Sequence, residues 1–286
     1  MRIPQRARVR GGLIALAAAV LLSGCGGKRA HGPGPAEPRR VVCASPAVAE
    51  IVFALGCGDR VVGVSEFTDW PPAAAAKSSI GGALSPSRER ILALEPDLIL
   101  AQGKAEALAE FARGRGIAFR ALPLDTLEDV RNAMAGIAAV LGAEKEGKAL
   151  WTEMEREFAA LERREPVSVF IALGHAPGDF SGLMTTGAGT FLDDIVARAG
   201  GSNAFFDLQA AWPKVSLEAL VRRHPALVLD IQSVAGDEAR RIALVADWGR
   251  FGFAPDQIRV LEEESVLRPG PRAARAAQIV SQAIWR

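Results

Sequence analysis

Residues 89–100 read ERILALEPDLIL, and residues 218–229 read EALVRRHPALVL. Both segments begin with glutamate, place aliphatic residues third and fourth, carry proline eighth and end on three aliphatic residues. Any helix that leads through a proline into a strand would look similar, but that resemblance does not require matching glutamates at positions 89 and 218. We therefore predict one supersecondary plan used twice, with two halves related by a pseudo-two-fold axis.

The rest of the chain supports a fold built from alternating strands and helices. A weaker echo pairs AEIVFALG (49–56) with DDIVARAG (193–200), in the same order along the chain. Short apolar runs alternate with helical patterns from residue 40 onward, and the strand-like runs are 40–43, 61–64, 98–101, 118–121, 167–173, 227–231 and 257–261. This alternation predicts an α/β fold of two Rossmann-like lobes with mainly parallel sheets.

A long helix is predicted to join the two lobes. Residues 126–141 have the pattern of one helix and residues 143–165 that of a second, which Pro166 is expected to stop. The apolar residues of this second helix that fall at helical spacing are Leu150, Met154, Phe158 and Leu161. The predicted lobes are therefore 40–142 and 166–286, joined by a stiff helical connection.

The first 24 residues have the pattern of a signal peptide. Arginines at positions 2, 6, 8 and 10 precede the ten-residue apolar run Leu13–Leu22, and small residues lead to Cys25. The run is too short to span a bilayer, which takes about 20 residues. The LSGC segment resembles a bacterial lipobox, which implies lipid on Cys25; the alternative is a secreted protein with an incidental cysteine. Residues 25–39, rich in Gly and Pro, are predicted to be a flexible tether.

Charge and cysteine content limit the partners and the compartment. Without the four leader arginines, 30 basic side chains face 33 acidic ones, a net charge of −3. This balance argues against nucleic acid, which attracts basic surfaces. Cys43 and Cys57 could pair in an oxidising compartment, but two buried free thiols are the favoured expectation.

The sequence carries no recognisable catalytic set. It lacks G-x-S-x-G, H-E-x-x-H and G-x-x-x-x-G-K-[ST] motifs, so we predict no enzyme. His175 and His224 are too few for a typical histidine-rich metal site, and no metal is predicted. The absence of tyrosine makes haem ligation less favoured. His175 follows a predicted strand, at the edge where α/β proteins place ligands.

Five segments cover most of the chain after the tether and read RRVVCASPAVAEIVFALGCGDRVVGVSEFTDWPP (39–72), SPSRERILALEPDLILA (85–101), TTGAGTFLDDIVARAGGSN (185–203), WPKVSLEALVRRHPALVLD (212–230) and LRPGPRAARAAQIV (267–280). They resemble, in this order, the solute-binding proteins of ABC importers for cobalamin, ferric siderophores and haem, and most of all the cobalamin-binding members. The resemblance implies a ligand cleft between the lobes, and capture and delivery of a ligand, expected to be cobalamin or a related corrinoid, with no further cofactor.

The resemblance also implies the residues that bind the ligand. Phe67 and Trp212 match aromatic residues of the cleft, Ala47 matches a backbone contact, and residues 264–268 match a C-terminal cleft segment. The predicted ligand-binding set is Ala47, Phe67, His175, Trp212, Glu264 and Arg268. Flat corrin rings suit apolar and aromatic walls with a few polar contacts.

Some residues depart from the cobalamin pattern. Two further tryptophans of the cobalamin-binding members are replaced here by Ala83 and Gln102, which thins the aromatic box. A ferric siderophore or haem therefore stays open as the ligand, and the basic residues that could serve an anionic siderophore are Lys214, Arg268 and Arg272. Trp70, beside two prolines, is expected to pack in the core. An exported enzyme or adhesion module on this scaffold is the remaining alternative.

Glu89 and Glu218 match a pair of glutamates with which the family docks on its permease, one on each lobe. A pseudo-symmetric protein meeting a two-fold permease dimer could pair each carboxylate with basic residues of one subunit. The alternative is two solvated acids at helix starts, where the helix dipole favours them.

Taken with the predicted signal peptide and lipidated cysteine, these features predict an exported, lipid-anchored monomer that faces the periplasm or the cell exterior.

Overall fold

The computed structural model describes residues 37–162, 164–180, 182–232, 236 and 238–286. The predicted signal peptide (1–24), the lipidation site Cys25 and most of the predicted tether lie outside this range. Among the described helices, none combines the length and apolarity needed to cross a membrane.

The first lobe is built on five parallel strands. Its sheet has the order β3-β2-β1-β6-β7, and β4 and β5 form a separate antiparallel pair. The strands are β1 (Val41–Cys43), β2 (Val61–Val64), β3 (Ser78–Ser79), β4 (Gly81–Gly82), β5 (Ser85–Pro86), β6 (Leu98–Gln102) and β7 (Ala118–Leu122). The helices are α1 (Pro46–Ala54), α2 (Pro72–Ala75), α3 (Arg88–Ala93) and α4 (Glu106–Gly114).

The second lobe holds a mixed sheet. Its order is β11-β9-β8-β12-β13, with β10 also paired to β8, and only the two pairs made by β9 are antiparallel. The strands are β8 (Val167–Leu173), β9 (Leu183–Met184), β10 (Gly201–Asn203), β11 (Lys214–Val215), β12 (Leu227–Ile231) and β13 (Ile258–Leu261). The helices that connect or complete the lobes are α5 (Leu127–Leu141), α6 (Glu144–Ala159), α7 (Phe191–Arg198), α8 (Leu217–Arg223), α9 (Glu238–Gly249) and α10 (Ala273–Ile284). The predicted α/β fold with two lobes is confirmed.

One hydrophobic core is shared by both lobes. Successive residues of a strand point to opposite faces of its sheet, so each sheet has an inner and an outer face. Val41 and Leu98 of the first sheet belong to the same cluster as Val169 and Leu227 of the second, through side chains of α5, α6, α7 and α10. The outer faces pack in two separate clusters. Since the shared core lies between the sheets, large hinge motions would expose apolar surface.

The helix predicted over 143–165 is observed as α6, but it ends earlier. It stops at Ala159, so Pro166 is not the residue that terminates it. The chain turns after Ala160 and brings the Arg164 guanidinium over the indole of Trp285. At the other end, a Cβ on Gly147 would lie 2.8 Å from Cβ of Ala138, so glycine allows the close packing of α6 on α5.

The sequence repeat corresponds to a repeated structure. Ser87 and Ser216 are the N-caps of α3 and α8, and each hydroxyl accepts a hydrogen bond from a backbone N–H of its helix. Glu95 and His224 stand at matching positions before the prolines, and both have left-handed φ angles, of 44° and 46°. Positive φ is uncommon outside glycine, so its occurrence at both positions shows that the two halves share one backbone path.

The two cysteines of the described chain are buried free thiols, as favoured from the sequence. Burial raises the pKa of the Cys43 thiol to about 12, which keeps it protonated and unreactive at neutral pH.

Candidate functional site

A cavity of about 720 Å³ opens at the carboxyl ends of β1 and β6, where α/β folds place ligands. It is lined mostly by small or apolar side chains, with two charged residues: Ala44, Ser45, Ala83, Leu84, Ser85, Pro86, Arg88, Ala101, Gln102, Ala105, Glu106, Ala107 and Leu108. Its volume lies within the range of about 300–1,000 Å³ that is usual for small-molecule sites. Ala83 and Gln102, which stand where the resemblance led us to expect tryptophans, both line this cavity.

Phe67 projects from the loop that follows β2. The loop is held by hydrogen bonds from the Ser65 N–H to the Cys43 carbonyl and from the Glu66 N–H to the Gly81 carbonyl. Phe67 has a φ of 64°, and its side chain is 78% exposed. A bulky residue in a left-handed conformation with an exposed ring is typical of binding loops.

Trp212 is presented by the second lobe. The Thr185 and Gly187 N–H groups donate to the Pro213 and Ala211 carbonyls, which fixes the segment that carries the indole. A Cβ on Gly187 would lie 2.2 Å from the Ala210 carbonyl oxygen, so this close approach requires glycine. Trp212 is 51% exposed. In the repeat it is the counterpart of Ala83, which lines the cavity of the first lobe.

Ala47 is buried in the first turn of α1. Ser45 caps this helix, and its hydroxyl accepts from the Val48 N–H. The side chain of Ala47 is enclosed, so a contact with a ligand would have to use its backbone, as the resemblance implied. Its N–H belongs to the first turn, where backbone donors have no partner within the helix.

Arg268 lies in a buried ion cluster. Its guanidinium donates to Glu50 at 2.9 Å and to Asp69 at 2.6 Å, and it also pairs with Glu264. Arg272 adds a bond from Nε to Glu50 at 2.8 Å. The Glu50 side chain is only 1% exposed, and these two arginines compensate the cost of burying its carboxylate. Arg268 and Arg272 are therefore engaged with protein carboxylates and are not free for an anionic ligand.

Glu264 and Asp69 share Arg268 and influence each other's titration. Burial raises the pKa of the Glu264 carboxyl, and the nearby Asp69 adds to this rise. Burial would also raise the pKa of Asp69, but hydrogen bonds with Arg268 and Glu264 outweigh it and hold that pKa below its usual value. As pH falls, Glu264 therefore takes up a proton before Asp69.

Trp70 does not pack in the core, contrary to the sequence-based expectation. Its indole is 48% exposed and lies beneath the Arg272 guanidinium, 5.4 Å from the ring centroid. The cation–π contact holds it at the surface beside the ion cluster.

His175 is enclosed in the second lobe. Its Nδ1 lies 2.8 Å from Asp230, and its ring packs against Trp248 and Phe180. The Trp248 indole N–H donates to the same Asp230 carboxylate at 2.7 Å. No part of the imidazole is exposed in this structure, so direct contact with a ligand would require rearrangement of the loop that follows β8.

Glu89 and Glu218 occupy the second position of α3 and α8, and both are exposed. Glu218 pairs with Arg222 of the next helical turn at 3.3 Å, and Glu89 accepts from the Ser87 hydroxyl at 3.4 Å. Both carboxylates thus project from equivalent helix starts, one on each lobe.

Two features of the site were missed from the sequence. Arg88, in the cavity wall, had no pattern that set it apart. Glu50 did carry a signal, because it is an acid within an otherwise apolar helix, and a buried charge implies a partner. That partner could not be identified, because Arg268 is 218 residues away in the chain.

The chain is similar to known proteins in sequence and in fold. The sequence model of periplasmic binding proteins matches residues 41–235. The chain belongs to this family. Among the described residues, no group of three or more His, Cys, Asp or Glu side chains is placed to hold a metal ion.

Several relatives are vitamin B12-binding proteins. That of Pectobacterium carotovorum subsp. carotovorum (strain PC1) is 31% identical, over 85% of this chain and 87% of the relative. That of Salmonella typhimurium (strain LT2) is 29% identical, over 86% and 90%. The family resemblance identified from the sequence is confirmed.

Solved structures of the family share the fold. The periplasmic heme-binding protein BhuT, in complex with two hemes, has a TM-score of 0.71 and 27% identity over 86% of this chain and 97% of BhuT. The vitamin B12-binding protein BtuF of Vibrio cholerae has a TM-score of 0.69 and 23% identity over 87% and 97%. The family consists of periplasmic binding proteins, and this coarse role in solute binding applies to the chain.

Proposed function

We propose that this chain is an exported, lipid-anchored binding protein that captures a corrinoid of the cobalamin type and delivers it to an ABC importer. The observation that carries the proposal is the cavity of about 720 Å³ at the carboxyl ends of β1 and β6. Its mostly apolar wall, with few polar groups, suits a large amphiphilic ring with amide side chains.

The exposed aromatic residues support the same ligand class. Phe67 and Trp212 belong to different lobes, and both present their rings to solvent. Aromatic rings bury large apolar areas against a flat ligand, which stabilises binding without fixing a particular polar pattern. Relatives named vitamin B12-binding proteins are consistent with this assignment.

Haem is the second candidate, because BhuT binds two hemes. The sequence has no tyrosine, so the two histidines of the described chain are the first candidates for an axial ligand. His175 is enclosed beside Asp230, and His224 stands at the end of α8, away from the cavity wall. A corrinoid brings its own cobalt ligands and needs none from the protein, so we favour it.

Delivery would use Glu89 and Glu218. Their equivalent placement on two lobes suits a partner with two-fold symmetry, in which each carboxylate meets one subunit. The lipid on Cys25 would keep the protein at the membrane where this partner lies. Loss of membrane association in Cys25→Ser, judged by detergent phase partitioning, tests the anchor separately from the cargo.

The ligand is tested by equilibrium titration. The purified chain is titrated with cyanocobalamin, haemin and a ferric siderophore, followed by absorbance and calorimetry. We expect saturable one-to-one binding of cyanocobalamin at micromolar protein, with weaker binding of the other two. Absence of cobalamin binding, together with tight haemin or siderophore binding, would transfer the proposal to that ligand.

A further inference from the structure

The cavity wall of the first lobe carries one arginine that the family resemblance did not point to. Arg88 is the first residue of α3 and lines the cavity. Its guanidinium lies over the ring of Phe111, 5.6 Å from the centroid, rather than beside a carboxylate. Arg268 and Arg272 are held by protein acids, whereas no carboxylate among the described residues pairs with Arg88, which leaves its side-chain N–H donors available to a ligand.

The stacking contact gives Arg88 a defined orientation. Cation–π contact with Phe111 restricts the guanidinium plane while its edge remains free to donate. An arginine with free donors in an apolar cavity is suited to a phosphate or carboxylate group, which it can bind with two hydrogen bonds.

Glu106 is the other charged residue of the cavity wall, at the start of α4. A carboxylate accepts hydrogen bonds and repels a nearby anion. The ligand that matches both residues therefore carries an anion for Arg88 and hydroxyl or amide donors for Glu106. A bulky apolar group would fill the remaining space between the alanine side chains of this wall.

The nucleotide tail of a complete corrinoid has these three parts in sequence. A phosphodiester supplies the anion, a ribose supplies hydroxyl donors, and a benzimidazole base supplies a flat apolar ring. Resting on the proposed corrinoid function, we infer that the side of this cavity bounded by Arg88 and Glu106 is a subsite for the nucleotide tail, with Arg88 on the phosphate and Glu106 on the ribose. The protein would then select complete corrinoids over cobinamide, which lacks the tail.

The test compares two ligands and matched variants by calorimetry, using the full-length chain in mild detergent and no importer. Cyanocobalamin carries the tail and dicyanocobinamide does not. Arg88→Gln removes the charge, Arg88→Lys keeps it without the fork geometry, and Glu106→Gln removes the acceptor charge. Arg90→Gln is the control, since Arg90 is exposed on the same helix and outside the cavity wall.

We expect Arg88→Gln to weaken cyanocobalamin binding by about tenfold or more, because hydrogen bonds between ionised groups are stronger than those between neutral groups. Dicyanocobinamide affinity should stay within about twofold. Arg88→Lys should fall between wild type and Arg88→Gln, Glu106→Gln should weaken only cyanocobalamin, and Arg90→Gln should match wild type. An unchanged unfolding midpoint shows that each variant is folded.

The outcomes separate this inference from the proposed function. Equal effects of Arg88→Gln on both corrinoids, or no effect on either, would overturn the tail subsite while leaving corrinoid binding in place. A loss of haemin affinity alone would assign the arginine to a haem carboxylate and also overturn it. If the wild-type protein binds neither corrinoid, the proposed function fails together with the inference.

Discussion

Glu50 and Asp194 occupy equivalent positions on α1 and α7, yet their carboxylates are stabilised in different ways. The echo between residues 49–56 and 193–200 aligns them. Glu50 is buried and accepts from the guanidinium groups of Arg268 and Arg272. Asp194 is partly buried and accepts from the backbone N–H of Leu127 at 2.8 Å. One acid is part of an ion cluster, and the other caps a helix.

The contrast shows how the lobes hold each other. Glu50 of the first lobe binds the residue that precedes α10, the helix that follows the last strand of the second sheet. Asp194 of the second lobe binds the start of α5, which follows the last strand of the first sheet. Each lobe therefore anchors the other's final helix, in a reciprocal arrangement expected of a pseudo-two-fold.

Two other pairs of equivalent positions differ in whether the residue type is the same in both lobes. Glu89 and Glu218 retain the same residue type at the same helix position. Ala83 and Trp212 differ, so that one lobe presents an open cavity and the other an exposed indole. Identical residues suit the proposed contact with a two-fold symmetric importer, and different residues suit contact with an asymmetric ligand.

The largest effect is expected from Glu50→Gln. Removing one partner of a buried ion cluster leaves charge without compensation, which typically costs about 3–5 kcal/mol. Chemical denaturation should therefore show a loss of about 3 kcal/mol or more in the free energy of unfolding. Glu110→Gln, an exposed acid on α4, serves as the control and should change little. A Glu50→Gln protein as stable as wild type would contradict the assigned role of the cluster.

Trp212→Ala tests whether the exposed indole of the second lobe contacts the ligand. Losing a large aromatic contact area should weaken cyanocobalamin binding by about tenfold. Phe206→Ala, which removes another exposed ring of the second lobe, should leave the affinity unchanged. Equal affinity of Trp212→Ala and wild type would place the ligand away from Trp212.

Neutralising one glutamate at a time tests whether α3 and α8 contribute equally to docking. Glu89→Gln and Glu218→Gln should each slow uptake by similar factors, roughly threefold to tenfold, because exposed interfacial charges chiefly affect association. Removing Arg222, the helical neighbour of Glu218, should not slow uptake. An effect confined to one glutamate would break the proposed two-fold correspondence.

The smallest effect is expected from Asp194→Asn, which keeps the acceptor for the Leu127 N–H. Burial raises the pKa of Asp194, with contributions from Asp193 and Asp129, so the charged form is disfavoured by folding at neutral pH. That cost is relieved as pH falls through the raised pKa. Asp194→Asn should therefore be as stable as wild type or slightly more stable at pH ~7.5, and the two should converge near pH ~4. Thermal unfolding at both pH values measures this, and a strongly destabilised Asp194→Asn would show that its charge is needed.

Much of the fold followed from local sequence patterns, but parts of the site did not. Seven strands and the two matched helix starts were predicted, because apolar runs and the Glu-to-Pro spacing are local signals. The three-residue strand β10 has no apolar run, and the two-residue strands β3, β4, β5, β9 and β11 are too short to show a period. The Glu50 cluster, the surface position of Trp70 and the cavity depend on contacts between distant segments.

The central claim is that capture and delivery use separate surfaces, of which only the delivery surface is repeated. Double charge reversal, Glu89→Lys with Glu218→Lys, tests it by measuring uptake of cyanocobalamin through the cognate importer beside binding by the purified protein. The account predicts that uptake collapses while the dissociation constant stays within about twofold of wild type, since neither carboxylate lines the cavity. Retained uptake, or loss of binding along with uptake, would contradict it.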